Sequence, residues 1–243
     1  MRLRCFLLFV ALAAHAWASP PDSAAADLRR IHAMLTDAKT PRTWVFTGDS
    51  ITQGAKWLGH ARSYSQIIEE RIRWELGRTH DIVINSGVSG EVMSGLLADY
   101  DWRVGRFHPD VVSVMMGMND CRYGNAGLPR FTAQLKELMR RIRAQGAIPV
   151  LNSTTQIDTA EPDARGLAAL PAYNMAIRTV AAEEHVIYVD HWTLWVAEHP
   201  RLDARGSWLA NPIHPGPLGH RQIAITWLKA LHLYDPRSRS CER

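Results

Sequence analysis

The sequence predicts a single α/β domain of three layers, with a five-stranded parallel sheet between two layers of helices. Three observations predict it. From about residue 43 onward, short β-rich runs alternate with segments of helical periodicity, the mark of repeated strand–helix units. The run Val111 to Met116 is continuously apolar, as a strand covered on both faces must be. The chain has 243 residues, 47% hydrophobic and 21% charged, enough for one core of ordinary size and too apolar for a disordered chain.

The elements follow in order. Arg2 and Arg4 precede a short apolar run, Phe6 to Ala14, and Ala16-Trp17-Ala18 supplies a small-residue cleavage site. The run is too short to span a bilayer. These features predict a secretory signal over residues 1–18 and a secreted or periplasmic product without stable membrane insertion. Residues 19–42 are expected to form a leader with a first helix, 43–234 the main domain, and 235–243 a polar tail that frays.

Trp44-Val45-Phe46-Thr47 reads as the first strand, ending at Gly48. Tyr64, Ile68, Ile72 and Leu76 recur every four residues and mark one face of a helix. Ile82 to Ile84 is the second strand, closed by Asn85-Ser86-Gly87, and residues 94–107 read as helical with an exit at Pro109. Val111 to Met116 is the third strand. Phe131, Leu135, Leu138 and Ile142 give a long helix with Gly146 as its stop signal. Ile148 to Leu151, a helix through Tyr173, Ile177 and Val180, and Val186 to Val189 follow. Pro217 can start a last helix carrying Ile223, Trp227, Leu228 and Leu231. Residues 153–166 are the longest irregular stretch, a candidate loop over a site.

Charge points to no polyanionic partner. Lys and Arg number 28 against 24 Asp and Glu; without the two arginines of the signal the balance is 26 − 24 = +2. The basic clusters Arg71, Arg73 and Arg140, Arg141, Arg143 fall on helical patterns and read as solvated faces rather than a nucleic-acid surface. Cys5 leaves with the signal. Cys121 and Cys241 remain in a compartment that permits disulfides, either paired or as two free thiols.

Chemistry gathers at strand ends. Gly48-Asp49-Ser50 follows the first strand, Asn85-Ser86-Gly87-Val88-Ser89-Gly90 the second and Gly117-Met118-Asn119-Asp120 the third. In an open parallel sheet the carboxyl ends of strands share one edge, where ligands bind. Each motif alone is a common turn; three at equivalent ends are a site. Trp57, Trp192 and Trp208 fall in loops and are further candidates to line it.

At these residues the sequence resembles a family. Phe46-Thr47-Gly48-Asp49-Ser50-Ile51-Thr52 is similar to the first block of the GDSL, or SGNH, hydrolases. Val88-Ser89-Gly90-Glu91 resembles the second block, Gly117-Met118-Asn119-Asp120 the third, and Ile213-His214-Pro215 with Gly219-His220 the last. The blocks come in order and cover residues 43 to 232. The resemblance implies a flavodoxin-like fold and a serine esterase or acylhydrolase that uses no metal or organic cofactor. It implies Ser50 as nucleophile and His214 as its base. The N–H groups of Ser50 and Gly90 and the amide of Asn119 would serve as oxyanion donors. Asp49 and Asp120 read as structural residues near the site, and His220 as structural at the start of the last helix.

One position departs from the family. Where the pattern has an aspartate three residues before the histidine, this chain has Asn211. Three alternatives follow. Asn211 or a backbone carbonyl orients His214; or a carboxylate from elsewhere does, Asp203 and Asp190 being nearest in sequence; or the protein is a weakened homologue that binds a carbohydrate or ester without turning it over. A glycine-rich phosphate loop and metal-ligand spacings are absent from the sequence. The substrate is expected to be a small-molecule or glycan ester, with small acyl groups such as O-acetyl favoured by the lack of a long apolar lid segment.

Overall fold

The computed structural model describes residues 23–160, 166–198, 201 and 207–241. The expected signal at 1–18 and Asp203 lie outside these residues. Five strands, β1 (Thr43–Gly48), β2 (Ile82–Asn85), β3 (Val111–Met115), β4 (Ile148–Asn152) and β5 (Ile187–Val189), form one sheet in the order β2-β1-β3-β4-β5. All four pairings are parallel, with Phe46 opposite Asn85 and Gly48 opposite Met115. The chain leaves β1 for one neighbour and returns to the other, so a crevice opens at the carboxyl end of β1.

Ten helices surround the sheet among the described residues: α1 (Ala24–Thr36), α2 (Ser50–Gln53), α3 (Ala55–Leu58), α4 (Tyr64–Glu70), α5 (Met93–Ala98), α6 (Tyr100–Arg103), α7 (Gly124–Ala144), α8 (Leu170–Glu183), α9 (His191–Glu198) and α10 (Pro217–Ala230). α4 packs with α10 in one layer; α7 packs with α5 and α8 in the other. All five residues of β3 and of β4 are buried, which is why their sequences do not alternate. Trp44, Phe46, Tyr64 and Trp227 form an aromatic cluster under α4 and α10, with Phe46 and Trp227 ring centres 5.6 Å apart. Trp227 Nε1 donates to Ser113 Oγ at 3.0 Å, so the indole buries its one polar atom with a partner.

Three expectations change, and the open alternative at the cysteines closes. The helical stretch 94–107 is broken: Asp99 leaves helical geometry at φ −97°, ψ 14°, separating α5 from α6, and a 3₁₀ turn covers 105–107. Trp57 and Trp192 lie on α3 and α9 rather than in loops. Cys121 and Cys241 are buried free thiols, not a bridge. The tail does not fray as far as it is described. Ser238, Ser240 and Cys241 are buried, and Glu75 accepts the hydroxyls of both serines and the Ser240 N–H. Their donors hold the Glu75 carboxyl below its usual range, against the opposing effect of burial. Glu75 reaches the tail because α4 continues into a π-helical turn, Arg71–Glu75, in which Leu76 N–H bonds Arg71 C=O.

Candidate active site

The rim of β1 carries the first motif. A Cβ on Gly48 would lie 2.2 Å from Thr52 Oγ1 and 2.5 Å from Met115 C=O, so only glycine lets the chain turn tightly off the sheet. Asp49 then caps α2, its Oδ1 accepting Ile51 N–H at 2.9 Å. That cap leaves Ser50 at the first position of α2, at the strand tip. Burial pushes the Asp49 carboxyl up to about 7, its bond from Ile51 only partly offsetting this.

The last motif lies on the segment 208–216. It is closed by a short bridge between Leu209 and Pro215, with Ala210 N–H on His214 C=O and Gly216 N–H on Trp208 C=O. Within it, Asn211 Oδ1 accepts three N–H groups: Ile213 N at 2.9 Å, His214 N at 2.8 Å and His214 Nδ1 at 3.0 Å. Two of these donors are backbone N–H groups, so the amide oxygen, not its NH₂, must face inward. That settles the imidazole as well: Nδ1 carries the proton and Nε2 is an acceptor. Nε2 lies 2.9 Å from Ser50 Oγ. A hydroxyl in that position can pass its proton to the ring as it attacks an electrophile.

Trp57, on α3, stacks flat on the His214 ring, with centres 3.4 Å apart and planes 10° from parallel. Burial first, and the Lys56 ammonium second, pull the His214 imidazole down to about 4. The ring therefore rests neutral over the whole mildly acidic range. His220 is structural, as expected: its Nδ1 accepts Tyr64 N–H at 3.1 Å. Trp208 packs edge-on against Trp195.

The second and third motifs complete the rim. Gly90 has φ +79°, and a Cβ there would meet nothing within 4 Å; its backbone is open to whatever occupies the crevice. The Asn119 amide donates one hydrogen to Glu91 C=O at 3.0 Å, and an amide has a second to give. Asp120 Oδ1 accepts Met93 N–H at 2.8 Å, and burial pushes its carboxyl up to about 6. Asp49 and Asp120 thus each hold a backbone N–H with a carboxylate oxygen.

Of the two alternative carboxylates, Asp190 bonds elsewhere. Its oxygens accept Thr193 N–H and Thr193 hydroxyl at 2.9 and 2.8 Å, at the start of α9. The residue missed by sequence reading is Arg103. Its guanidinium is almost fully buried and makes a fork of bonds: Nη2 to Gly48 C=O at 2.7 Å, Nε to Ser86 C=O at 3.1 Å and Nη1 to Glu91 Oε2 at 2.7 Å. One cation thereby ties the ends of β1 and β2 to the segment on which Asn119 rests. No motif marks it, since it lies on an ordinary amphipathic stretch. Among the described residues no cluster of three or more His, Cys, Asp or Glu could hold a metal, and no helix is long and apolar enough to cross a membrane.

Comparison with known proteins finds relatives and solved structures of the same fold. An acetylxylan esterase of Geobacillus stearothermophilus is 25% identical over 217 residues, covering 80% of this chain and 96% of that protein. A shorter match, 35% identical over 83 residues, spans 34% of this chain and only 9% of an uncharacterized Mycoplasma pneumoniae protein. Among solved structures, a mutant of the acetyl-xylooligosaccharide esterase of Geobacillus stearothermophilus superposes with a TM-score of 0.67 at 23% identity, covering 82% of this chain and 97% of that one. A candidate GDSL-like lipase from Parabacteroides merdae gives 0.68 at 20% identity, covering 81% and 98%. A model of the GDSL-like lipase/acylhydrolase family matches residues 46–222, from the first strand into the last helix. The chain belongs to that family and is a carboxylic ester hydrolase.

Proposed function

We propose that the protein is an exported serine esterase that removes small acyl groups, acetyl on a saccharide foremost, through an acyl-Ser50 intermediate. The observation that carries the mechanism is the pair of hydrogen bonds joining Ser50 to His214 and His214 to Asn211. His214 Nε2 takes the Ser50 proton as Oγ adds to the ester carbonyl. The oxyanion that forms accepts the N–H groups of Ser50 and Gly90 and the free hydrogen of the Asn119 amide. The imidazolium then gives its proton to the departing alcohol. Water attacks acyl-Ser50 with His214 again as base, and the carboxylic acid leaves. Asn211 holds the ring and its tautomer throughout and adds no charge. The neutral orienter defines a weaker base than a carboxylate would, so catalysis leans on the oxyanion donors.

The acetyl-saccharide class rests on the acetylxylan esterases among the relatives and on the absence of a long apolar lid segment in the sequence. Export rests on residues 1–18; N-terminal sequencing of protein recovered outside the cytoplasm should begin at Ser19. For the mechanism, a fluorophosphonate should add once to the protein, on Ser50, by intact-mass and peptide analysis. An adduct that persists in Ser50→Ala would place the nucleophile elsewhere.

A further inference from the structure

Directly after Asn119, a cavity of about 290 Å³ opens at the start of α7, lined by Asp120, Tyr123, Arg130, Phe131, Gln134 and Tyr173 among others. We propose that this cavity receives the alcohol side of the ester as a single pyranose ring. The Tyr123 ring is the stacking platform, and Asp120 Oδ2 and the Gln134 amide receive the sugar hydroxyls. The proposal rests on the acyl-serine reading above.

The first argument is an unpartnered atom. Asp120 is 5% exposed, and while Oδ1 holds Met93 N–H, Oδ2 is buried with no hydrogen-bond partner. A buried carboxylate oxygen without a donor is costly. A ligand that fits the cavity therefore brings a donor, as a sugar hydroxyl does and an alkyl chain does not. Four other surface cavities, including larger ones between α9 and α10 and beside the tail, are lined by no such atom.

The second argument is the wall. Tyr123 stands 60% exposed at the rim although it is a large aromatic residue, and flat amphipathic rings of this kind give contact area to a ligand face. Gly127 lets it close on α7: a Cβ there would lie 2.6 Å from Tyr123 Cβ and 2.6 Å from the Tyr173 hydroxyl. Arg130 adds guanidinium donors for ring and hydroxyl oxygens. The third argument is place. Asp120 adjoins Asn119, and its charge bears on Asp49, the cap of the Ser50 turn. The cavity is thus walled by the residue that directly follows the third oxyanion donor at the end of β3. Its volume is near the lower bound of small-molecule sites, roughly 300–1,000 Å³, which suits one ring rather than a chain.

The test compares two esters with the same acyl group, mono-O-acetylated methyl β-D-xylopyranoside and p-nitrophenyl acetate. In Tyr123→Ala, and separately in Gln134→Ala, the ratio of kcat/KM for the xyloside to that for the aryl ester should fall about tenfold, through KM. A second arm needs no turnover: NMR titration of Ser50→Ala protein with methyl β-D-xylopyranoside should show saturable binding, weakened at least fivefold by adding Tyr123→Ala. Loss of binding in that arm supports the cavity even if wild-type protein hydrolyses neither ester, a result that would instead sink the esterase mechanism. An unchanged ratio together with unchanged binding overturns the proposal. So does a Tyr123→Ala protein that shifts preference between p-nitrophenyl acetate and octanoate while leaving the xyloside ratio alone, since the cavity would then hold the acyl chain.

Discussion

The serine side and the histidine side of the crevice are built on opposite principles. On the serine side, backbone turns are held by buried ionisable groups: Arg103 grips two carbonyls and the Glu91 carboxylate, and Asp49 and Asp120 accept backbone N–H groups beneath. On the histidine side, the ring is held by neutral groups, the Asn211 amide and the Trp57 indole face. Buried ions are expensive, but once paired they permit few alternative arrangements. Neutral contacts cost less and leave the group they hold unpolarised. The difference teaches where each side is constrained. Oxyanion donors need position above all, whereas a base needs position and a tuned charge, and here it has mainly position.

The largest expected effects are common to both sides. Ser50→Ala and His214→Ala should each lower kcat on a simple acetyl ester by at least about a thousandfold, since such groups act as a unit; steady-state rates against an enzyme-free control check this. Next comes the ionic side alone. Arg103→Met strands Glu91 without its cation and should cost about 3–5 kcal/mol of stability, read by urea denaturation. It should also cost about a hundredfold in kcat as the oxyanion donors lose register. Arg103→Lys should recover little of either, because an ammonium cannot replace the planar fork. Full activity in a folded Arg103→Met protein would show that the serine side is not held as described.

The histidine side should respond by gaining. Asn211→Asp supplies the charge that the imidazolium lacks and should raise kcat about tenfold at neutral pH. His214 acts as base only when neutral, so the wild-type acid limb should lie near its depressed value of about 4. A carboxylate at 211 favours the charged ring and should move that limb to higher pH. A rate and a limb both indifferent to the change would mean that charge on this side is immaterial.

A last effect, on stability rather than rate, separates the sides by pH. The Asp49 carboxyl, raised by burial to about 7, holds its proton more tightly folded than unfolded. Its contribution to stability is complete below the unfolded value near 3.8 and is lost as pH rises through about 7. Wild type should therefore gain on Asp49→Asn as pH falls from 7 towards 4, by up to about 1.4 kcal/mol per pH unit. Thermal unfolding of the pair across that range tests it, and parallel pH profiles would refute a buried, proton-holding Asp49.

The two sides were unequally legible in the sequence. Ser50, Gly90 and Asn119 each follow a β-rich run, and parallel topology brings the ends of β1, β2 and β3 to one edge of the sheet. His214 stood out only through its block. Arg103 left no trace, because its meaning lies in three carbonyl and carboxylate groups that the chain reaches elsewhere. Asp190 misled for the same reason in reverse: proximity along the chain suggested a catalytic partner, whereas a helix start three residues long absorbs both its oxygens. The docked tail was hidden because Glu75 and Ser240 are 165 positions apart, and no periodicity records such a contact.

The π-helical turn at Arg71–Glu75 is in effect one extra residue carried inside a helix. Deleting a residue from an ordinary helix spoils its phase; here, removing the exposed Trp74 would restore a regular one. The local backbone would become more ideal, yet everything after the deletion would swing about 100° around the helix axis. Glu75 would leave Ser238 and Ser240, and the end of the chain would lose its anchor. In this stretch an imperfection in one helix is the spacer that sets the length of the whole protein's closure, so a shorter and more regular helix is predicted to make a looser molecule.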